Sequence, residues 1–311
     1  MGGVGAMGKY APLTAQDFAR TMSRAAERGM NFLDTAPRYG DSEAVFGHYL
    51  KDHRSEWIVC TKIGYCGGGK KRQASAVEEI YQGFEQSLRR LQVDHVDLLL
   101  IHSIDQYGVA GEAIENVCKA GMIDAMIRLR EQGKVRHLGV SGQLRELIPA
   151  VCSGHFEVAL TYNSYNLLIR EAQDELFSAA AACGVGVILG GAFYQGLLAG
   201  MGERLAAEKH RWFERQDPGF HQTQQLLERV KALAALVGGN AEALRRMAIR
   251  FTLTEPRVSV VISGMQRPEE VDENASAAEA GALSADEMKQ IDRALANVEG
   301  HRPQWVWSSS L

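Results

Sequence analysis

Three short apolar runs end, in chain order, on Asp34, Lys62 and His102. They are Asn31-Phe32-Leu33, Trp57-Ile58-Val59-Cys60-Thr61 and Val96-Asp97-Leu98-Leu99-Leu100-Ile101. Each is short, and residues at helical spacing follow, the pattern of strand, turn and helix. Tyr39 stands on the turn just past the first run. A carboxylate at the end of a buried strand lies in a low-dielectric place and needs a cationic partner. Taken singly, each residue has an ordinary explanation: a turn or helix cap for Asp34, a solvated amine for Lys62, a satisfied imidazole for His102. Titratable groups at successive strand ends are harder to explain that way. In a parallel β/α barrel those ends converge on one mouth, where active sites sit.

Further runs at Val135–Ser141, Phe156–Tyr162, Val185–Leu189 and Val258–Ile262, with a weaker glycine-rich one at Gly2–Met7, bring the expected strands to eight. Helical spacing between them predicts helices from a Thr14 cap to Glu27, Ser42–Lys51, Ala76–Leu91, beyond Asn116 to Gln132 with Gly133 ending it, and Glu171–Cys183. Late helices are expected at Thr223–Val237, Ala241–Leu253, from Pro268, and at Ala285–Val298. The fold expected is a (β/α)8 TIM barrel with extra C-terminal helices, one domain over residues 1–311.

Composition narrows the partners. With 46% apolar and 23% charged residues, the chain can bury a large α/β core. A net charge of −4 gives no sign of nucleic acid or an anionic membrane surface, so the expected partner is a small molecule. No apolar run approaches a membrane span, and the N-terminus lacks a signal core, so a cytoplasmic protein is expected. Cys60, Cys66, Cys118, Cys152 and Cys183 lack CxxC spacing and are read as buried free thiols in a reducing compartment. Without an HxH or HExxH pattern, no metal site is expected. Gly64–Arg72 lacks phosphate-loop spacing and is read as a loop at the barrel mouth. Together with Ser103–Asn116 and Gly190–Gln222 it should set the substrate. His137 is read as structural, and His210 and His221 as surface residues. Trp305 and Trp307 either pack on the barrel or shape the substrate pocket.

The motifs DTAPRYG from Asp34 with Ser42-Glu43, VCTK ending on Lys62 and VDLLLIH ending on His102 resemble the aldo-keto reductase superfamily. TYNSYNLL from Thr161 and GGAFYQGLL from Gly190 are similar to its aldose and galactose dehydrogenase branch. The resemblance runs from about Leu13 to Leu295. A β-hairpin that plugs the barrel bottom in relatives is expected to be missing from the start of the chain. The resemblance implies hydride transfer between a nicotinamide cofactor and an aldehyde, ketone or sugar, or the corresponding alcohol. Tyr39 would exchange the proton, Lys62 lower the phenol pKa, Asp34 hold Lys62, and His102 orient the carbonyl oxygen. Relatives that reduce enones replace that histidine.

By the same resemblance Ser141 should meet the nicotinamide carboxamide, with Gly142 where the family has Asn and Tyr162 where it has Gln. Gly190 takes the place of the ring that stacks on nicotinamide, and Phe193 or Tyr162 are the candidate substitutes. Gln195, Gly196 and Leu198 would cover the pyrophosphate. Ile262, Gly264, Met265, Gln266, Arg267, Glu270, Glu273 and Asn274 would line the adenosine end. The family's habit favours NADP(H). Gly264 and Glu270 stand where a Lys and an Arg grip the 2′-phosphate, so the local charges favour NAD(H), whereas Arg267 is a cation for the phosphate. Two competing readings are a cofactor-binding regulatory barrel with little turnover and a metal-dependent hydrolase on the same fold.

Overall fold

The computed structural model describes residues 15–64, 77–108, 111–200, 219–296 and 298. Strands and helices alternate: α1 (Ala15–Glu27), β1 (Phe32–Asp34), α2 (Ser42–His53), β2 (Ile58–Gly64), α3 (Val77–Leu91), β3 (Val96–His102), α4 (Ala113–Lys119), α5 (Met122–Glu131) and β4 (Val135–Gly142). The second half runs α6 (Leu144–Val151), β5 (Val158–Tyr162), α7 (Leu176–Cys183), β6 (Gly186–Gly190), α8 (Gly219–Leu236), α9 (Ala241–Thr252), β7 (Val258–Ile262), α10 (Pro268–Glu279) and α11 (Ala285–Ala296). The strands form a seven-stranded sheet in sequence order. Every neighbouring pair is parallel. This is the (β/α)8 architecture, seen through seven of its expected strands. The weak strand Gly2–Met7 and the Thr14 cap lie outside the described residues, as do Cys66, most of the Gly64–Arg72 loop, His210, Trp305, Trp307 and the side chain of His221.

Two apolar layers follow from the two-residue period of the strands. Cys60, Leu98, Leu100, Leu160, Ile188 and Ile262 point inward and fill the barrel. Their neighbours Val59, Leu99, Ile101, Ala159, Val187 and Leu189 point outward and meet the helices in a larger core. Helices present the matching stripe: Phe18, Met22 and Ala25 on α1, and Ile80, Phe84, Leu88 and Leu91 on α3, are buried.

The helix expected from beyond Asn116 to Gln132 is two helices. Gly121 adopts φ 71° between α4 and α5, a conformation favoured by glycine that ends one helix and starts the next. Gly133 closes α5 with φ 72°, as expected. The segment Glu171–Cys183 is a 3₁₀ turn followed by α7. Its first residues are drawn aside, Ala172 N–H bonding to Ser164 O at 3.1 Å and Arg257 Nη2 to Gln173 O at 3.1 Å. Helix α8 begins at Gly219, before the expected Thr223. The thiols are a correction: of the four described, Cys60 is buried, Cys118 is half-buried, and Cys152 and Cys183 are exposed. The apolar runs that suggested burial are helix ends at the rim, where the stripe has already turned outward. His137 is exposed and pairs with Glu157. None of the helices among the described residues is long and apolar enough to cross a membrane.

Candidate active site

The same period that packs the barrel assembles the site. Phe32 and Asp34 share a parity on β1, Cys60 and Lys62 on β2, and Leu98, Leu100 and His102 on β3. The lower members fill the barrel, so Asp34, Lys62 and His102 are the next inward layer at the C-terminal ends. In register, Asp34 pairs with Cys60, Lys62 with Leu100 and Gly64 with His102, so each site residue stands one inward step further along its strand than the one before. Asp34, Lys62 and His102 are all buried.

Lys62 Nζ donates to Asp34 Oδ1 at 2.6 Å and to the Thr35 carbonyl at 2.8 Å. It also lies 4.9 Å from the centre of the Tyr39 ring. Tyr39 and His102 meet edge to face, with ring centres 5.6 Å apart at 89°. Tyr39 is placed by a tight turn in which its N–H bonds to Ala36 O and its carbonyl accepts from Ser42 N–H. Ser42 opens α2, and its hydroxyl accepts from Thr35 Oγ1 at 2.9 Å. One residue on, buried Glu43 accepts from Thr61 Oγ1 at 2.6 Å and Arg90 Nε at 2.7 Å. Thr61 points outward where Lys62 points inward, so this bond ties α2 and α3 to the strand that presents the lysine.

The charges follow from this packing. Burial alone would lower the Lys62 pKa, but Asp34, then Tyr39 and Cys60, outweigh it and leave it above the ordinary lysine value. Burial pushes the Tyr39 phenol up; Lys62 pulls it down, Asp34 pushes it up, and it ends above the ordinary value. Lys62 thus lowers the phenol pKa as expected, but burial outweighs it. His102 is held down to about 3 by burial and by the nearby Lys62 and Arg38 cations, so its imidazole is neutral at neutral pH.

Beside this group lie the β4 and β5 ends, where the nicotinamide contacts are expected. Ser141 Oγ donates to Ile101 O at 3.0 Å and accepts from Ser103 N–H at 3.0 Å, so much of its capacity is spent within the protein. At Gly142 a Cβ would come within 2.8 Å of Ile104 Cγ2 and 3.0 Å of Asp105 Oδ1, leaving no room for the family's Asn. Gln143 follows it, with its Nε2 buried beside the Tyr162 phenol. The Tyr162 phenol is pushed up to about 12 by burial and by Asp105, while Gln143 and Ser103 pull it down. Tyr162 pairs in register with Gly190, where a Cβ would lie 3.3 Å from the Tyr162 Cβ. A ring on β5 thus faces a bare position on β6. Sequence reading missed Gln143, Asp105 and the Thr35 carbonyl. The only hint lay in Gly142, whose missing side chain left a polar neighbour to serve.

The β6 and β7 ends supply the rest. Tyr194, Gln195 and Gly196 take φ of 43°, 55° and 93°, a left-handed run strained at its two non-glycine positions. Gly196 N–H and Leu198 N–H both bond to Phe193 O, and Leu198 is buried. Phe193 packs on the core, partly buried. Past Ile262, Ser263 Oγ and Gln266 Nε2 are buried without partners, and Met265 is buried. Glu270 caps α10, accepting from Gln266 N–H at 2.7 Å, and its other oxygen takes Arg267 Nη2 at 3.1 Å. Glu273 is held by Arg245 through bonds of 2.6 and 3.0 Å, and Asn274 is buried. Gly264 has open space around it. Unpartnered polar atoms on Ser263 and Gln266 at the end of β7, with the Gln143 amide at the end of β4, fit an elongated polar ligand such as a dinucleotide. Among the described residues, no three His, Cys, Asp or Glu side chains gather as metal ligands.

A model of the Aldo/keto reductase family matches residues 1–296. The chain belongs to the aldo-keto reductase family. Among its relatives, L-galactose dehydrogenase of Arabidopsis thaliana is 29% identical over 278 residues, covering 86% of this chain and 80% of that protein. D-threo-aldose 1-dehydrogenase of a Pseudomonas species is 25% identical over 279 residues, covering 82% of this chain and 80% of that one. An aldo-keto reductase of Bacillus halodurans, solved in its holo form, shares the fold with a TM-score of 0.68 at 24% identity, over 94% of this chain and 92% of that one. Family membership makes the chain an oxidoreductase of the nicotinamide-dependent kind.

Proposed function

We propose that the protein transfers hydride between NAD(P)(H) and an aldehyde or ketone, or the corresponding alcohol, with Tyr39 as general acid and base. The observation that carries this is the buried Asp34–Lys62 pair set 4.9 Å beneath the Tyr39 ring, with His102 edge-on beside it. Similarity to a galactose and an aldose dehydrogenase favours a sugar as the substrate.

Reduction of a carbonyl builds negative charge on its oxygen, which needs a proton and a field to stabilise it. The raised pKa of Tyr39 keeps the phenol protonated at neutral pH, the form that donates. Lys62 stabilises the phenolate left behind. Asp34 and the Thr35 carbonyl hold the ammonium where it can do so and keep it charged. His102, being neutral, offers one ring N–H to the substrate oxygen. When bound, the nicotinamide supplies the hydride in reduction and accepts it in oxidation. In oxidation Tyr39 must first lose its proton, which its raised pKa opposes at neutral pH.

Tyr162 is the ring best placed beside the nicotinamide, and Gln143 the amide for its carboxamide. Residues 262–267 would take the phosphates and adenosine. At the 2′ position Glu270 already neutralises Arg267, and no second cation stands at Gly264, an arrangement that supports NAD(H) against the family's NADP(H) habit. Residues 1–311 would serve as one catalytic domain.

The test pairs cofactor titration with turnover. NADH and NADPH are each titrated against tryptophan fluorescence, and wild type and Tyr39→Phe are assayed on aldehydes, ketones and sugars. We expect Tyr39→Phe to lose about 10²–10⁴ in kcat with cofactor Kd unchanged. Tight cofactor binding without turnover on any of these would overturn the enzymatic reading in favour of a regulatory barrel.

A further inference from the structure

Helices α6 and α7 follow successive parallel strands, so both run back to the barrel end opposite the site. Cys152 is the C-terminal cap of α6 and Cys183 the last residue of α7. Their sulfurs lie 3.5 Å apart, with Cys183 Sγ donating to Cys152 Sγ. Both residues are exposed. Cys60 differs: it is fully buried inside the barrel, and burial raises its thiol pKa well above the ordinary value. Two thiols in contact at the surface, 31 positions apart in sequence, form a pair that neither the hydride chemistry nor the packed core uses.

We propose that Cys152 and Cys183 are a dithiol site that exchanges with small disulfides and closes into an intramolecular disulfide linking α6 to α7. A rotation of the side chains brings the sulfurs from contact to a bond of about 2.05 Å. One thiolate attacks a low-molecular-weight disulfide, such as glutathione disulfide; the small S–S bond breaks and one small thiolate leaves and takes up a proton. The second cysteine, as thiolate, attacks the protein sulfur of the mixed disulfide and expels the second small thiolate. The two cysteines lose two electrons and two protons, and the small disulfide is reduced to two thiols. Contact with Cys183 and burial raise the Cys152 pKa, so exchange quickens as pH rises. The site sits at the end of the barrel that carries stability rather than chemistry. Closing a 31-residue loop there constrains the unfolded chain and should raise Tm by about 5 °C.

The full chain is equilibrated with glutathione and glutathione disulfide in graded ratios. Free thiols are then alkylated, and non-reduced peptides are mapped by mass spectrometry. We expect one cross-link joining the Cys152 and Cys183 peptides, loss of two free thiols, and the rise in Tm, with kcat unchanged. Cys152→Ser and Cys183→Ser should each stop at a mixed disulfide with glutathione on the remaining thiol and show no rise in Tm. All thiols remaining free in the most oxidising buffer, or cross-links joining other cysteines or two chains, would overturn the proposal.

Discussion

Replacing Asp34 by Asn removes a charge and leaves the shape. Lys62 stays buried with its bond to Thr35 O but loses an anion 2.6 Å away. At an effective dielectric of about 20, unit charges about 2.6 Å apart attract by about 6 kcal/mol. Desolvation offsets much of that in the intact pair, whereas an ammonium left alone costs about 3–5 kcal/mol. With about 2.1 cal/mol/K of unfolding entropy per residue, 311 residues give about 0.65 kcal/mol/K, so Tm should fall by about 5–8 °C. The loss also depends on pH in a defined direction. In the native protein the folded Lys62 pKa lies above the unfolded value, so its contribution is full below the ordinary lysine pKa of 10.5 and fades above it. In Asp34→Asn, burial acts without Asp34 and the folded pKa drops below the unfolded one. The unfolded chain then binds more protons, and the variant gains stability as pH rises toward about 10.4. Urea unfolding at several pH values reads both effects. A loss under about 1 kcal/mol, or a gap that does not narrow from neutral pH upward, would refute the reasoning.

Other outcomes follow from the same geometry. Carbonyl reduction should hold steady through neutral pH and decline in alkali as Tyr39 ionises, while alcohol oxidation rises there; matching pH profiles for the two directions would exclude Tyr39 as the shared acid and base. His102 is neutral when folded and gains a proton near 6.5 when unfolded, so stability should fall as pH drops from 6.5 toward 3, by at most about 1.4 kcal/mol per pH unit. His102→Gln should flatten that slope, read by urea unfolding across acid pH. Gly264→Lys fills open space beside Arg267 and should improve NADPH affinity relative to NADH about tenfold, measured by fluorescence titration. Glu43→Gln weakens the buried tie from α2 to Thr61 and Arg90 and should cost about 2–3 kcal/mol of stability by urea unfolding.

Much of this protein was legible in its sequence because strands impose a period of two. Apolar runs ending in Asp34, Lys62 and His102 place those side chains on the inward parity, and parallel register sets them on adjacent strands one inward step apart. Residue type and spacing therefore decided the barrel and the group of side chains proposed as catalytic. Tertiary structure alone decided what lies between elements distant in the chain. Whether Tyr39 titrates low or high depends on how deeply it is packed against how near Lys62 stands, and that balance went to burial. Whether Glu270 faces a phosphate or caps its own helix turned on its bonds to Gln266 N–H and Arg267. Gln143 gained a place beside Tyr162 because Ile104 and Asp105 fill the space a side chain at Gly142 would need. Cys152 and Cys183 came into contact because two helix ends meet at the rim. A strand's period is local and repeats, so one chain can display it. Distances, burial and pairing across the fold arise only when the elements pack.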